Sequence, residues 1–164
     1  MADEETLAIE LTVNGERVKR TVAVRQHLVD FLRTELGLTG SHLGCEHGIC
    51  GACTVRVDGA VVRGCLMLAV QADGAAVETI EGLTESGEIA DLQETFVTRN
   101  ALQCGYCTPG MLLTAAELLR RAKPASRDDI RAFLSGNYCR CTGYHAIVDA
   151  VETTLKQRLE GGSR

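Results

Sequence analysis

The sequence predicts an α+β protein in which a small sheet half precedes an all-helical half. Apolar residues alternate with a period of two between Leu7 and Ile80, then recur at helical spacing from Ile89 to Leu159. A polar stretch with Gly82, Thr84, Ser86 and Gly87 separates the two regimes. Each half also carries four of the eight cysteines, Cys45, Cys50, Cys53 and Cys65 in the first, Cys104, Cys107, Cys139 and Cys141 in the second.

In the first half Leu7, Ile9, Leu11 and Val13 alternate, Asn14-Gly15 turns the chain, and Val18, Val22 and Val24 resume the period as the second arm of a hairpin. Leu28, Phe31, Leu32 and Leu36 then fall at helical spacing, and Gly37 closes that helix. After a cysteine-rich loop, residues 54–57 and 61–63 flank Asp58-Gly59 as a second hairpin, and residues 77–80 add a last strand. The order β-β-α-loop-β-β-β matches a ferredoxin-like β-grasp.

In the second half Ile89, Leu92 and Phe96 open the helical pattern. Thr108-Pro109 offers an N-cap and a first-turn proline for the next helix, which carries Met111, Leu112, Ala115, Leu118 and Leu119 and is broken by Pro124. That apolar stripe reads as core, because a bundle must bury it. Ser126 with Asp129 three residues on starts a third helix, and Ile147, Val148, Val151, Leu155 and Leu159 give a fourth one face. A four-helix bundle is the economical arrangement, with the domain boundary after Glu81, so that residues 1–81 and 82–164 form separate units.

Composition narrows the function. The chain has 164 residues, 45% of them hydrophobic and 24% charged, the balance of an ordinary globular protein. A formal charge of -5 opposes a phosphate backbone, and no stretch interleaves Lys and Arg with aromatics, so nucleic acid is not an expected partner. Arg120, Arg121 and Lys123 read as a solvated helix end. Neither Gly-x-Gly-x-x-Gly nor a Walker-type loop occurs. No apolar run is long enough for membrane insertion, and residues 1–5 lack the basic and apolar regions of a signal peptide. A cytoplasmic protein is expected, with residues 161–164 as a frayed end. In that reducing compartment closely spaced cysteines point to metal or redox chemistry rather than disulfides.

The first quartet reads C-x4-C-x2-C with a distant fourth cysteine, the spacing by which plant-type ferredoxins hold a 2Fe-2S cluster. Its glycines let the loop wrap tightly and aim amide N–H groups at sulfur. A zinc site more often shows two C-x2-C pairs, so spacing favours iron and sulfide, while zinc in a structural interaction module stays open. A Rieske centre would need a second histidine where Cys50-Gly51-Ala52-Cys53 has none; His47 reads as a surface or supporting residue, and His27, His42 and His145 lack ligand-like partners. The second quartet pairs Cys104-Gly105-Tyr106-Cys107 with Cys139-Arg140-Cys141, which can meet at one end of a bundle. The one-residue gap fits neither a zinc knuckle nor a thioredoxin-type dithiol.

Three segments carry a resemblance: Gly44-Cys45-Glu46-His47-Gly48-Ile49-Cys50-Gly51-Ala52-Cys53, Gln103-Cys104-Gly105-Tyr106-Cys107-Thr108-Pro109-Gly110-Met111, and Asn137-Tyr138-Cys139-Arg140-Cys141-Thr142-Gly143-Tyr144. The chain resembles the iron-sulfur subunit of the xanthine oxidase family of molybdenum hydroxylases, from about Leu7 to about Leu155. The resemblance implies an N-terminal plant-type ferredoxin domain and a C-terminal helical domain, each holding one 2Fe-2S cluster on its own four cysteines. It implies a large subunit that holds molybdenum pyranopterin and carries the substrate site, a medium subunit that holds FAD, and a dimer of heterotrimers. Electrons would pass from molybdenum to the centre on Cys104, Cys107, Cys139 and Cys141, then to that on Cys45, Cys50, Cys53 and Cys65, and on to FAD or another acceptor. No catalytic residue is expected in this chain. Gln103 matches the family's pterin-contacting glutamine and Cys141 the ligand nearest the pterin; from its chemistry alone, Gln103 would be a helix-end residue satisfying local backbone. The alternative reading is a free-standing ferredoxin-like electron carrier, and the substrate class (carbon monoxide, purines, aldehydes or N-heterocycles) stays open.

Overall fold

A computed structural model describes residues 5–161 as a five-stranded sheet followed by helices. Residues 1–4 and 162–164, with most of the acidic N-terminus and the predicted frayed end, lie outside the described residues. Strands β1 (Thr6–Val13) and β2 (Glu16–Ala23) pair antiparallel along their full length. Asn14 and Gly15 between them both adopt positive φ, 50° and 85°, the type I′ geometry that matches the twist of the flanking strands. Asp58-Gly59 does the same between β3 (Thr54–Val57) and β4 (Ala60–Arg63). The last strand, β5 (Ala76–Glu78), lies parallel to β1 and antiparallel to β3, giving the order β2-β1-β5-β3-β4.

A parallel β1–β5 pair requires a long excursion between them. That excursion contains helix α1 (Leu28–Asp30), the cysteine loop and the β3–β4 hairpin, so the topology hangs the first quartet at one end of the sheet. The predicted helix is present, but it widens into a π-helical turn over Phe31–Glu35, which keeps Leu28, Phe31 and Leu32 fully buried against the sheet.

The polar stretch after Glu81 is not a loop. Helix α2 (Ile80–Glu85) occupies it, turning Ile80 and Leu83 into the helical core. The predicted strand over 77–80 therefore ends at Glu78. One apolar pair three residues apart gives only one face of a single turn, too short for periodicity to register.

Four longer helices follow: α3 (Ala90–Thr98), α4 (Thr108–Arg120), α5 (Arg127–Leu134) and α6 (His145–Gly161). Ser126 Oγ accepts from Asp129 N at 3.2 Å, while Asp129 Oδ2 accepts from Ser126 N at 2.9 Å, the reciprocal cap predicted for α5. Thr108 sits inside α4 rather than capping it; Cys107 is the N-cap and makes no side-chain cap bond. Because α4 packs on β3 and β4 as well as on α5, it buries Leu113, Thr114 and Ala116 in addition to its predicted stripe. The basic residues at its end are engaged: the Arg120 guanidinium donates to Gly59 O at 2.6 Å, and Arg121 stacks over the Phe133 ring.

The two halves meet over polar contacts. Gly110 of α4 lies so close to the first cysteine loop that a Cβ would stand 2.2 Å from Gly51 O. Asn137, only 1% exposed, is the hub beside it. Its Nδ2 donates to Gly51 O at 3.1 Å, and its Oδ1 accepts from Thr114 Oγ1 at 2.9 Å and Arg63 at 3.3 Å. At the other edge of β3, buried Arg56 donates to both oxygens of Glu88 and to Glu78. Replacing Asn137 with Ala leaves several buried groups unpaired. The expected cost is about 2–4 kcal/mol, read as a lower denaturation midpoint of the metal-loaded protein with unchanged m-value.

Candidate metal centres

The first quartet is presented by a loop whose backbone turns left-handed at Glu46, Gly48 and Gly51, with φ of 56°, 74° and 77°. These turns gather amide N–H groups on its concave side, a geometry suited to anionic sulfur. The Cys45 sulfur accepts from His47 N at 3.3 Å and Cys50 N at 3.4 Å. These donors, that of Cys50 foremost, pull the Cys45 thiol down to about 6. Cys53 behaves oppositely: burial, followed by contact with Cys65, pushes it up to about 12. Cys53 and Cys65 are both 2% exposed, and Cys65 arrives from the far side of the β3–β4 hairpin, so folding of the sheet closes the site.

The second quartet gathers where the start of α4 meets the segment between α5 and α6. The sulfurs of Cys104 and Cys141 stand 3.6 Å apart. Two thiolates bound to one tetrahedral metal through bonds of about 2.3 Å lie roughly 3.8 Å apart, whereas a disulfide requires about 2.05 Å. Burial and then contact with Cys139 push Cys107 up to about 12. At Cys139 burial opposes ionisation, but the hydroxyl and amide of Thr142 outweigh it and hold the thiol below its ordinary value. Cys104 and Cys141 are exposed, as is Gln103, whose Nε2 donates to Cys141 O at 3.1 Å. The eight cysteines are all unpaired.

The strongest sulfur–sulfur interactions run in pairs, Cys45 with Cys50, Cys53 with Cys65, Cys104 with Cys141 and Cys107 with Cys139, with weaker ones from Cys53 to Cys50 and from Cys107 to Cys104. Among the described residues no three His, Cys, Asp or Glu side chains converge as ligands of one ion. In a binuclear cluster sulfides complete each iron and the protein supplies two thiolates apiece. The donor set therefore fits a 2Fe-2S cluster in each quartet.

The two sites touch through their ligand loops. Tyr138 N donates to Cys50 O at 2.8 Å, and Tyr138 precedes Cys139. His42 stacks on Tyr106 at 4.5 Å between ring centroids, and its Nδ1 lies 2.8 Å from Tyr106 O. His42, which the sequence left without a partner, therefore clamps one cysteine loop to the other. Asn137, Thr142 and Tyr144 were visible inside a motif but carried no assigned role; only their contacts supply one. His27 and His145 make no hydrogen bond to a cysteine among the described residues, and His47 is exposed and contributes its backbone amide.

Apolar side chains beside the cysteines are bare. Ile49, Leu66, Leu102, Tyr106 and Tyr138 are exposed, Ile49 by 55% and Leu66 by 64%, and each lies within two residues of a cysteine. No helix among the described residues is long and apolar enough to cross a membrane.

Comparison with known proteins agrees with this chemistry. Residues 11–81 match the 2Fe-2S iron-sulfur cluster binding domain family, and residues 79–152 match the 2Fe-2S binding domain family. The chain is 50% identical over 148 residues to the caffeine dehydrogenase subunit gamma of Pseudomonas sp. (strain CBB1), covering 88% of this chain and 89% of that one. It is 51% identical over 149 residues to the nicotine 6-hydroxylase small subunit of Paenarthrobacter nicotinovorans, covering 90% and 88%. The xanthine dehydrogenase iron-sulfur-binding subunit of Escherichia coli O157:H7 is 41% identical over 153 residues, covering 92% and 96%. Among solved structures, quinoline 2-oxidoreductase from Pseudomonas putida 86 superposes with a TM-score of 0.87 at 46% identity, over 97% of this chain and 99% of that one.

Replacing Cys50 with Ser is expected to abolish one of two EPR signals of the reduced protein and to leave the other. Retention of both at full intensity would exclude Cys50 as a ligand.

Proposed function

The chain belongs to the iron-sulfur subunits of the xanthine oxidase family of molybdenum hydroxylases, and we propose that it relays electrons from a molybdenum pyranopterin held by a large subunit to FAD held by a medium subunit. It is a non-catalytic electron-transfer subunit of an oxidoreductase, and the substrate site lies in a separate subunit. The observation that carries the reading is the contact between the two ligand loops through Tyr138 N and Cys50 O, in a chain whose cysteines are flanked by exposed apolar side chains. A bound 2Fe-2S cluster supplies reversible one-electron storage at each site.

In this reading Cys45, Cys50, Cys53 and Cys65 hold one cluster in a plant-type ferredoxin β-grasp domain. Cys104, Cys107, Cys139 and Cys141 hold the other in an all-α four-helix-bundle domain, the two units dividing near Glu81, where the two family matches meet. Exposed Gln103, with Cys104 and Cys141 beside it, offers an amide to a group approaching from outside; its bond to Cys141 O leaves the amide oxygen free to accept from a pterin. Ile49 and Leu66 border the opposite quartet and give the FAD subunit an apolar surface to cover. Such surfaces disfavour a free-standing carrier. Eight unpaired cysteines suit the cytoplasm, and assembly as a dimer of heterotrimers follows the family. Caffeine, a purine, with nicotine and quinoline, other nitrogen heterocycles, are named for the relatives and favour a purine or another N-heterocycle as the substrate of the whole complex.

The expected composition is about four irons and four acid-labile sulfides per chain, in a red-brown complex that co-purifies with larger molybdenum- and flavin-bearing chains. A chain that elutes alone, or colourless and loaded with zinc, would overturn the reading. Gln103→Ala should slow substrate-driven reduction of the second-quartet centre by about tenfold or more in single-turnover mixing, with iron content unchanged. An unchanged rate removes Gln103 from the path.

A further inference from the structure

We propose that Thr142, through its side-chain hydroxyl, sets the reduction potential of the centre held by the second quartet. The inference rests on the reading that these four cysteines hold a 2Fe-2S cluster. Thr142 Oγ1 lies 3.1 Å from Cys139 Sγ, and Thr142 N donates to the same sulfur at 3.4 Å. A second partner fixes the direction of the hydroxyl. Tyr144 N donates to Thr142 Oγ1 at 3.2 Å, a hydroxyl carries a single proton, and a metal-bound thiolate has none to give. The proton therefore lies between oxygen and sulfur.

Tyr144 reaches this position through a left-handed backbone, φ 68°, which a bulky residue keeps only where its surroundings over-determine it. Its own hydroxyl accepts from Cys139 N at 2.8 Å, and its ring packs on the helical core. Cys139, Thr142 and Tyr144 thus close a ring of hydrogen bonds around one sulfur. The Cys45 sulfur, by contrast, takes backbone amides from His47 and Cys50. A side-chain donor can be varied by substitution, and a backbone amide cannot. Thr142 is therefore where this chain can adjust one centre independently of the other.

When one electron enters a cluster, no bond forms or breaks and the sulfurs become more negative, so a donor to sulfur binds the reduced form more strongly and raises the potential. In the enzyme the electron comes from the reduced molybdenum centre of the proposed large subunit; in the test it comes from dithionite with mediators.

The test is an EPR-monitored redox titration of the assembled complex, the second-quartet signal being the one that survives Cys50→Ser. Thr142→Val keeps the branched shape and deletes the hydroxyl. It should lower the reduction equilibrium constant of that centre by about tenfold, about 59 mV for one electron, without moving the other centre. Thr142→Ser should stay near the unsubstituted protein. An unmoved potential in Thr142→Val at full iron content, or an equal shift of both centres, overturns the proposal. Should the Val variant not load iron, Thr142→Ala supplies the same comparison. If neither loads while Thr142→Ser does, the hydroxyl is a folding requirement and the proposal fails. Absence of iron from the unsubstituted protein would instead refute the cluster reading beneath it.

Discussion

The close approach of Gly110 to Gly51, locked by the Asn137 amide, is the constraint on which the arrangement of the two centres depends. Electron transfer between sites weakens steeply with separation, so a chain holding two centres must bring their loops together and keep them there. Side chains between the loops would push them apart. Glycine at both contact points removes that bulk, and Asn137 donates to Gly51 O, which the close approach strips of water. A Cβ at Gly51 would also stand 2.6 Å from both Asn137 Nδ2 and Gly136 O, so neither loop has room to spare.

Gathering four thiolates in a small volume is electrostatically costly, and the fold meets that cost differently at its two sites. The first loop spends backbone conformation, turning left-handed at three positions so that amides face Cys45. The second adds side chains, with Thr142 donating to Cys139 and Tyr144 bracing Thr142. Cys53 and Cys107 remain strongly disposed to keep their protons, through burial first, so metal binding at either must drive out a proton.

Burial around the sites is incomplete in the isolated chain. Ile49, Leu66, Leu102, Tyr106 and Tyr138 stand exposed beside the cysteines, as Leu7 and Val97 do elsewhere, while Phe31, Phe96 and Leu113 are fully enclosed. A site that exchanges electrons needs low dielectric and little water, and here partner surfaces must complete the shell that this chain begins. The relatives' own designations as subunits agree with that division of labour.

Much was legible in the sequence because it depends on local chemistry. Asn14-Gly15 and Asp58-Gly59 dictate tight turns, Ser126 and Asp129 cap a helix wherever it packs, and cysteine spacing carries the ligand chemistry within each loop. Helix α2 escaped notice because one turn is too short to establish a period, and the extra buried face of α4 because that helix serves two neighbours. The His42–Tyr106 stack, the bond from Tyr138 to Cys50, the Asn137 hub and the Thr142–Tyr144 brace were beyond reach for a different reason. Apart from the brace, they join residues 23 to 88 positions apart, and the brace depends on a backbone angle that composition does not encode. The sequence alone determined which atoms can bind metal; tertiary structure alone decided how the two sets face each other, since that is set by contacts made only after distant loops have packed.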